Sequence, residues 1–206
     1  MSVDLKIRDK SEFSRILSEG DNDIDDLLAI ELGDAYGEYR DLWNKASRME
    51  IVPDFPIHLG FELNHSCNLK CPMCPVSSPD WENLGKKDWF PFEMFKEIID
   101  EGISRGLKSV SLNWTNEPLL RKDVPDFAAY ARDKGVIDIS IHTNGMPMTE
   151  EVSERLIDAG VNRIMVSIDA LTNETYEKIR IGGDLDKVKK NIFSFLSIRE
   201  KKKCRL

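Results

Sequence analysis

From residue 56 onward the sequence alternates between short strand-like runs and amphipathic helices, and few folds accommodate that alternation. Strand signals cover Ile57–Leu63, Ser109–Trp114, Ile137–His142 and Arg163–Ile168. Helical periodicity fills the intervals over about Pro91–Arg105, Val124–Lys134, Glu150–Ala159 and Thr172–Ile179, and a last helix runs from Leu185 to about Lys201. Gly106, Gly135 and Gly160 each stand between a helix and the next strand, where a left-handed cap ends a helix. Strands that alternate with helices pair in parallel through right-handed crossovers. The pattern therefore predicts an α/β fold, a β/α barrel or half-barrel, in which functional groups collect past the C-terminal ends of the strands.

Residues 1–55 read differently. They are acidic, with 14 Asp and Glu against 7 Lys and Arg, and so carry most of the net charge of −8. Ser11 caps a helix through Phe13, Ile16 and Leu17; a second runs through Ile24, Leu28 and Leu32; a third covers about Glu38 to Met49. Pro53 and Pro56 end the helical pattern, because proline lacks the N–H that a helix interior needs. This places a helical N-terminal extension at 1–55 and the α/β unit at 56–206. Asp21, Asp23 and Asp25 resemble the opening of a calcium loop, but Asp26 stands where that loop needs glycine and Leu32 where it needs glutamate. They read instead as a solvated helix start.

Composition removes several classes. At 41% hydrophobic, 206 residues can bury a core without disulfides. The negative charge argues against a nucleic-acid partner, which requires a basic surface. No apolar run is long enough to span a membrane and no secretory signal opens the chain, so no membrane partner and a cytoplasmic location are expected.

Every unusual cluster follows a strand. After the first comes Asn64-His65-Ser66-Cys67-Asn68-Leu69-Lys70-Cys71-Pro72-Met73-Cys74; after the second, Trp114-Thr115-Asn116-Glu117-Pro118; after the third, Thr143-Asn144-Gly145. The fourth ends in Ser167-Ile168-Asp169. Cys67, Cys71 and Cys74 lie in one short loop that can aim three thiolates at a common centre. A structural zinc site takes four protein ligands, so His65 or Cys204 would have to supply the fourth. A 4Fe–4S cluster held by three thiolates keeps one iron open. A redox pair at Cys71 and Cys74 leaves Cys67 unexplained, and buried structural thiols are the plainest alternative.

The spacing of Cys67, Cys71 and Cys74 after a strand resembles the cluster motif of radical S-adenosylmethionine (radical SAM) enzymes. The resemblance covers about Phe55–Leu206. Thr115-Asn116-Glu117-Pro118 stands where that family has Gly-Gly-Glu-Pro, and Thr143-Asn144-Gly145 resembles its Thr-Asn-Gly turn. Ser167-Ile168-Asp169 followed by Tyr176-Glu177-Lys178-Ile179-Arg180 is similar to a stretch common in the SPASM-type branch. The resemblance implies a partial (β/α) TIM-like barrel with parallel strands, and a metal-binding set of Cys67, Cys71 and Cys74 on a 4Fe–4S cluster. S-adenosylmethionine would chelate the fourth iron, with Asn116 and Glu117 at its amine. Ser167 and Asp169 would lie near its ribose or carboxylate, Thr143 and Asn144 along the cavity, and Met73 beside its adenine, where the family usually has an aromatic residue. One electron from a donor such as flavodoxin or ferredoxin would release a 5′-deoxyadenosyl radical that abstracts hydrogen from a peptide or saccharide-related substrate. The alternative is a non-catalytic Fe–S or zinc-binding module. The family core has six β/α units and this sequence shows four, so a truncated core with an open sheet edge after the fourth strand is expected.

Other residues carry plainer expectations. Trp81, Trp89 and Phe90 should pack on the barrel, His142 and His58 should be structural, and Phe193, Phe195 and Leu196 should belong to the core.

Overall fold

The computed structural model describes residues 24–82 and 89–202. The helix expected over Ser11, Phe13, Ile16 and Leu17, together with Asp21, Asp23 and Cys204, lies outside the described residues. In chain order the elements are α1 (Ile24–Leu32), α2 (Asp34–Ser47), β1 (His58–Gly60), α3 (Pro79–Glu82), α4 (Phe92–Ser104), β2 (Ser109–Ser111), α5 (Val124–Asp133) and β3 (Asp138–Thr143). Then follow α6 (Glu150–Asp158), β4 (Arg163–Val166), α7 (Asn173–Ile179) and α8 (Leu185–Lys201). Two short 3-10 turns, Pro75–Ser77 and Pro118–Leu120, sit in the loops after β1 and β2.

The four strands form one sheet in the order β1-β2-β3-β4, every pair parallel. The fold is thus α/β with four units of a partial TIM-like barrel. The glycines after α4, α5 and α6 have φ of +105°, +101° and +78°, the left-handed caps that the sequence implied. Among the described residues no helix is long and apolar enough to cross a membrane.

Strand alternation gives the sheet two unlike faces. Val110, Leu112, Ile139 and Ile141 turn to the helices and are buried with Phe95, Ile99, Phe127, Ala128 and Leu156. The opposite face is polar. Gly60, Ser111, Ser140 and Arg163 lie in register across all four strands. This is the inner face of the barrel, and it carries almost no aliphatic side chains.

β1 and β2 are shorter than the sequence suggested because side chains replace the backbone ladder past their C-terminal ends, whereas β3 has the expected length. Asn113 Oδ1 accepts the His142 N–H at 2.8 Å, and Glu62 Oε2 accepts the Thr115 N–H at 2.6 Å. Arg121 Nη1 donates to the carbonyls of Leu63 and Phe90 at 2.9 and 2.6 Å. Each substitution ends regular pairing and frees the chain to turn over the sheet.

The N-terminal helices pack on the starts of the strands. Tyr36 and Tyr39 of α2 are buried beside Leu28 and Ile57, with Ile137 packed against them. Arg163 at the start of β4 donates to Asp25 Oδ1 and Tyr36 Oη, both at 2.5 Å, and to Asp138 Oδ1 at 3.3 Å. Arg40 pairs with the second oxygen of Asp25 at 3.0 Å. Burial opposes ionisation of Asp25, but the bonds from Tyr36 and Arg163 hold its carboxyl below the usual 3.8. Asp25 is therefore tied to the sheet, which corrects its reading as part of a solvated helix start. His58 Nδ1 lies 2.7 Å from Ser109 Oγ and meets Trp43 edge to face. Of the α8 residues assigned to the core, Phe195 packs against it, whereas Phe193 and Leu196 are exposed, because the side of α8 that carries them has no neighbouring element among the described residues.

Candidate functional site

The loops past the strand ends enclose a cavity of about 150 Å³. Cys67, Cys71 and Cys74 line it together with Asn116, Glu117, Thr143, Asn144 and Ser167. Two residues expected there stand apart. Met73, in the cysteine loop, is 60% exposed, and Asp169 is held by Arg180 in an ion pair of 2.5 Å. Neither lines the cavity.

Glu117 organises the floor. Its Oε1 accepts from Thr143 Oγ1 at 2.7 Å and from the Leu119 N–H at 3.1 Å, and its Oε2 accepts the Asn144 N–H at 2.7 Å. One carboxylate thus fixes the ends of β2 and β3 relative to each other. Burial raises its pKa above the usual 4.5, while these three donors oppose the rise. Its backbone carbonyl accepts from Asn64 Nδ2 at 2.9 Å, and its N–H donates to the Ser66 carbonyl at 3.1 Å, which anchors the start of the cysteine loop. The Lys70 N–H donates to the Ile181 carbonyl at 2.9 Å and secures the same loop from the other side.

Asn116 is buried, and its Nδ2 donates to the Asn64 carbonyl at 2.9 Å. That bond settles which end of the amide is nitrogen. Oδ1 is then an acceptor with no partner inside the protein. A buried acceptor left unpaired costs free energy, about 1–3 kcal/mol, unless a ligand donates to it.

The sulfur atoms have donors around them. Asn144 Nδ2 lies 3.8 Å from Cys67 Sγ, the Leu69 N–H lies 3.4 Å from the same atom, and Arg180 Nη1 lies 3.7 Å from Cys71 Sγ. Burial pushes the Cys67 thiol up; the Leu69 N–H opposes this, and Glu117, Cys71 and Cys74 add to it. Three sulfurs and a carboxylate gathered around one cavity would repel one another if all were ionised, and a cationic occupant would relieve that repulsion. Among the described residues no three His, Cys, Asp or Glu side chains close on one point as a single ion requires. His65, offered as a fourth zinc ligand, is exposed and does not line the cavity. A cluster does not require the thiols to meet at one point, because each of its ligands binds a separate iron.

Arg180, Trp114, Asn113 and His142 also line the cavity. Sequence reasoning gave Arg180 and Trp114 no role, although both sit in segments it singled out. His142, taken as structural, is exposed on the inner face. Phe90 packs edge to face on Phe61 as expected, and Trp89 lies 5.3 Å from the Arg121 guanidinium while remaining half exposed.

Comparisons with known proteins agree with this geometry. The family described as the Radical SAM superfamily matches residues 61–197. Curated relatives include a probable GTP 3',8-cyclase of Methanococcus maripaludis strain C5, 36% identical over 126 residues, which are 61% of this chain and 41% of that protein. A GTP 3',8-cyclase of Alkaliphilus oremlandii is 32% identical over 139 residues, 66% of this chain and 42% of that protein. The chain thus spans about two fifths of the length of these relatives. Among solved structures, Streptococcus suis SuiB bound to S-adenosylmethionine aligns with a TM-score of 0.60 at 19% identity, over 91% of this chain and 43% of that one. Native anSMEcpe with bound AdoMet aligns with a TM-score of 0.55 at 19% identity, over 70% and 42%. A parallel sheet whose loops bring three cysteines into one cavity, matched by the family profile over two thirds of its length, identifies the chain as a member of the radical SAM superfamily.

Proposed function

We propose that this chain is the catalytic core of a radical SAM enzyme. Cys67, Cys71 and Cys74 would hold a 4Fe–4S cluster, and S-adenosylmethionine would fill the rest of the cavity. When bound and reduced by a one-electron donor, these cofactors supply a 5′-deoxyadenosyl radical that abstracts hydrogen from the substrate. The chain's own contribution is to bind, orient and exclude water. The unpartnered Asn116 Oδ1 is the observation that carries this reading, since it offers a buried acceptor to an ammonium group beside the thiols. Glu117 accepts from three protein donors and keeps acceptor capacity on Oε2, so it fixes Asn144 and Thr143 and places negative charge near that ammonium. Arg180, already paired with Asp169, and Ser167 line the same space, and a ligand carboxylate would compete with Asp169 for the guanidinium. Asn144 and Arg180 donate toward sulfur, which raises a cluster's reduction potential.

For the substrate, the curated relatives favour a purine nucleotide over the peptide or saccharide that the sequence suggested, because those relatives are GTP 3',8-cyclases by name. Anaerobic reconstitution tests the cofactor reading. About four irons and four sulfides per chain are expected, with loss of both when any of the three cysteines becomes Ala. Formation of 5′-deoxyadenosine under dithionite is expected as well. One zinc per chain without sulfide would overturn the reading.

A further inference from the structure

Trp114 is the least explained side chain in the cavity. It follows β2 and is 77% exposed, although it lies on the inner face of the sheet. Its indole crosses β1 at Gly60: a Cβ built on that glycine would stand 3.6 Å from Trp114 Cε3. Gly60 therefore presents bare backbone beneath the ring, and a larger side chain there would lift it.

The backbone on both sides of Trp114 is pinned. Glu62 Oε2 accepts the N–H and the hydroxyl of Thr115, at 2.6 and 2.7 Å. On the other side, Asn113 Oδ1 accepts the His142 N–H at 2.8 Å, and the Asn113 carbonyl accepts from Ser111 Oγ at 3.0 Å. A large aromatic ring thus rises from a pinned backbone and is left uncovered by the protein, within a cavity lined otherwise by cysteines, Leu69 and polar groups. Preorganised aromatic surface of this kind binds flat rings at small entropic cost. His142 lines the same cavity, and a neutral imidazole offers both a donor and an acceptor.

We propose that Trp114 is the substrate platform, stacking the base of a nucleotide while His142 hydrogen-bonds to the edge of that base. The proposal rests on the reading of this cavity as a radical SAM site and adds to it the chemical class of the second ligand. It requires the platform to serve the substrate and not the adenine of S-adenosylmethionine.

The test uses anaerobically reconstituted full-length protein with GTP as the probe, followed by calorimetry and by tryptophan fluorescence. Trp114→Leu is expected to weaken GTP binding by about tenfold or more, which is 1.4 kcal/mol at 25 °C, and to remove most of the fluorescence quench. Trp114→Phe keeps a stacking ring and is expected to retain most of the affinity. Ribose 5-phosphate, which lacks the base, is expected to show no dependence on Trp114. Iron content and circular dichroism, read on every variant, confirm that fold and cluster are intact. Three outcomes overturn the proposal: unchanged GTP affinity in Trp114→Leu, no GTP binding by the parent, or a larger loss for S-adenosylmethionine than for GTP. The cofactor reading fails separately, through the iron and sulfide count, which Trp114 does not touch.

Discussion

Two residues show how finely the cavity depends on single atoms. Asn116 Oδ1 is an acceptor waiting for a donor, and a hydrogen bond to a charged group contributes roughly 1.5–3 kcal/mol. Asn116→Leu is therefore expected to weaken S-adenosylmethionine binding about tenfold or more, read by equilibrium dialysis on protein of unchanged iron content. Unchanged affinity would remove Asn116 from the ligand's environment. Gly145, at the turn after β3, has φ of +77°, and a Cβ there would stand 3.0 Å from both Val166 and Val188. Gly145→Ala combines a disfavoured backbone with a tight contact, and is expected to cost roughly 2–4 kcal/mol in denaturant unfolding. These requirements were unequally visible beforehand. The turn motif marked Gly145 and the loop marked Asn116, but no property of the sequence showed that the Asn116 carbonyl lacks a partner, since that depends on Asn64 having taken its amide.

At the scale of elements, Arg121 joins segments far apart in the chain. It forks onto Asp123 at 2.6 and 2.9 Å, reaches the carbonyls of Leu63 and Phe90, and stacks 4.3 Å from the Phe127 ring centroid. A lysine cannot reproduce that planar fork. Arg121→Lys is expected to destabilise the fold by about 2 kcal/mol, measured by urea unfolding, because buried carbonyls lose donors. The contact of α2 with the sheet carries a pH dependence. Burial lowers the His58 pKa from 6.5, and nearby Asp138 opposes the shift. The folded state thus prefers neutral His58, so its contribution is present above pH 6.5, declines as the pH falls toward the lower folded value and is lost below it. Thermal unfolding between pH 7.5 and about 5 is expected to show this decline, with His58→Gln reducing its slope. An identical slope in the variant would clear His58. Element types and order were legible from periodicity and from the glycines that end α4, α5 and α6. The strand ends were not, because Asn113, Glu62 and Arg121 replace backbone pairing with long-range side-chain bonds.

On the scale of the whole molecule, the proline-marked boundary near residue 55 separates composition more clearly than it separates structure. Asp25, Tyr36 and Arg40 of the helical region form one network with Asp138 and Arg163 of the sheet. Removing residues 1–50 leaves Arg163 and the buried Asp138 without those partners and exposes Ile57 and Ile137. Breaking a fully buried charge network commonly costs about 3–5 kcal/mol, and this partly solvated one is expected to cost less, with the uncovered apolar surface adding to it. A chain starting at Ile51 is expected to lose cooperative thermal unfolding, read by near-ultraviolet circular dichroism. A shortened chain that melts sharply would show 1–55 and 56–206 to be separable units.

Sequence alone determined the α/β class, the parallel alternation and the three cysteines beyond the first strand, because periodicity, capping and ligand spacing are local properties of the chain. Tertiary structure decided which side chains meet. It placed Arg180 and Trp114 in the cavity, left Met73 on the surface and tied Asp169 to Arg180. Those outcomes turn on the register of strands dozens of residues apart and on competition among donors for the same acceptors, and neither is encoded in any single segment.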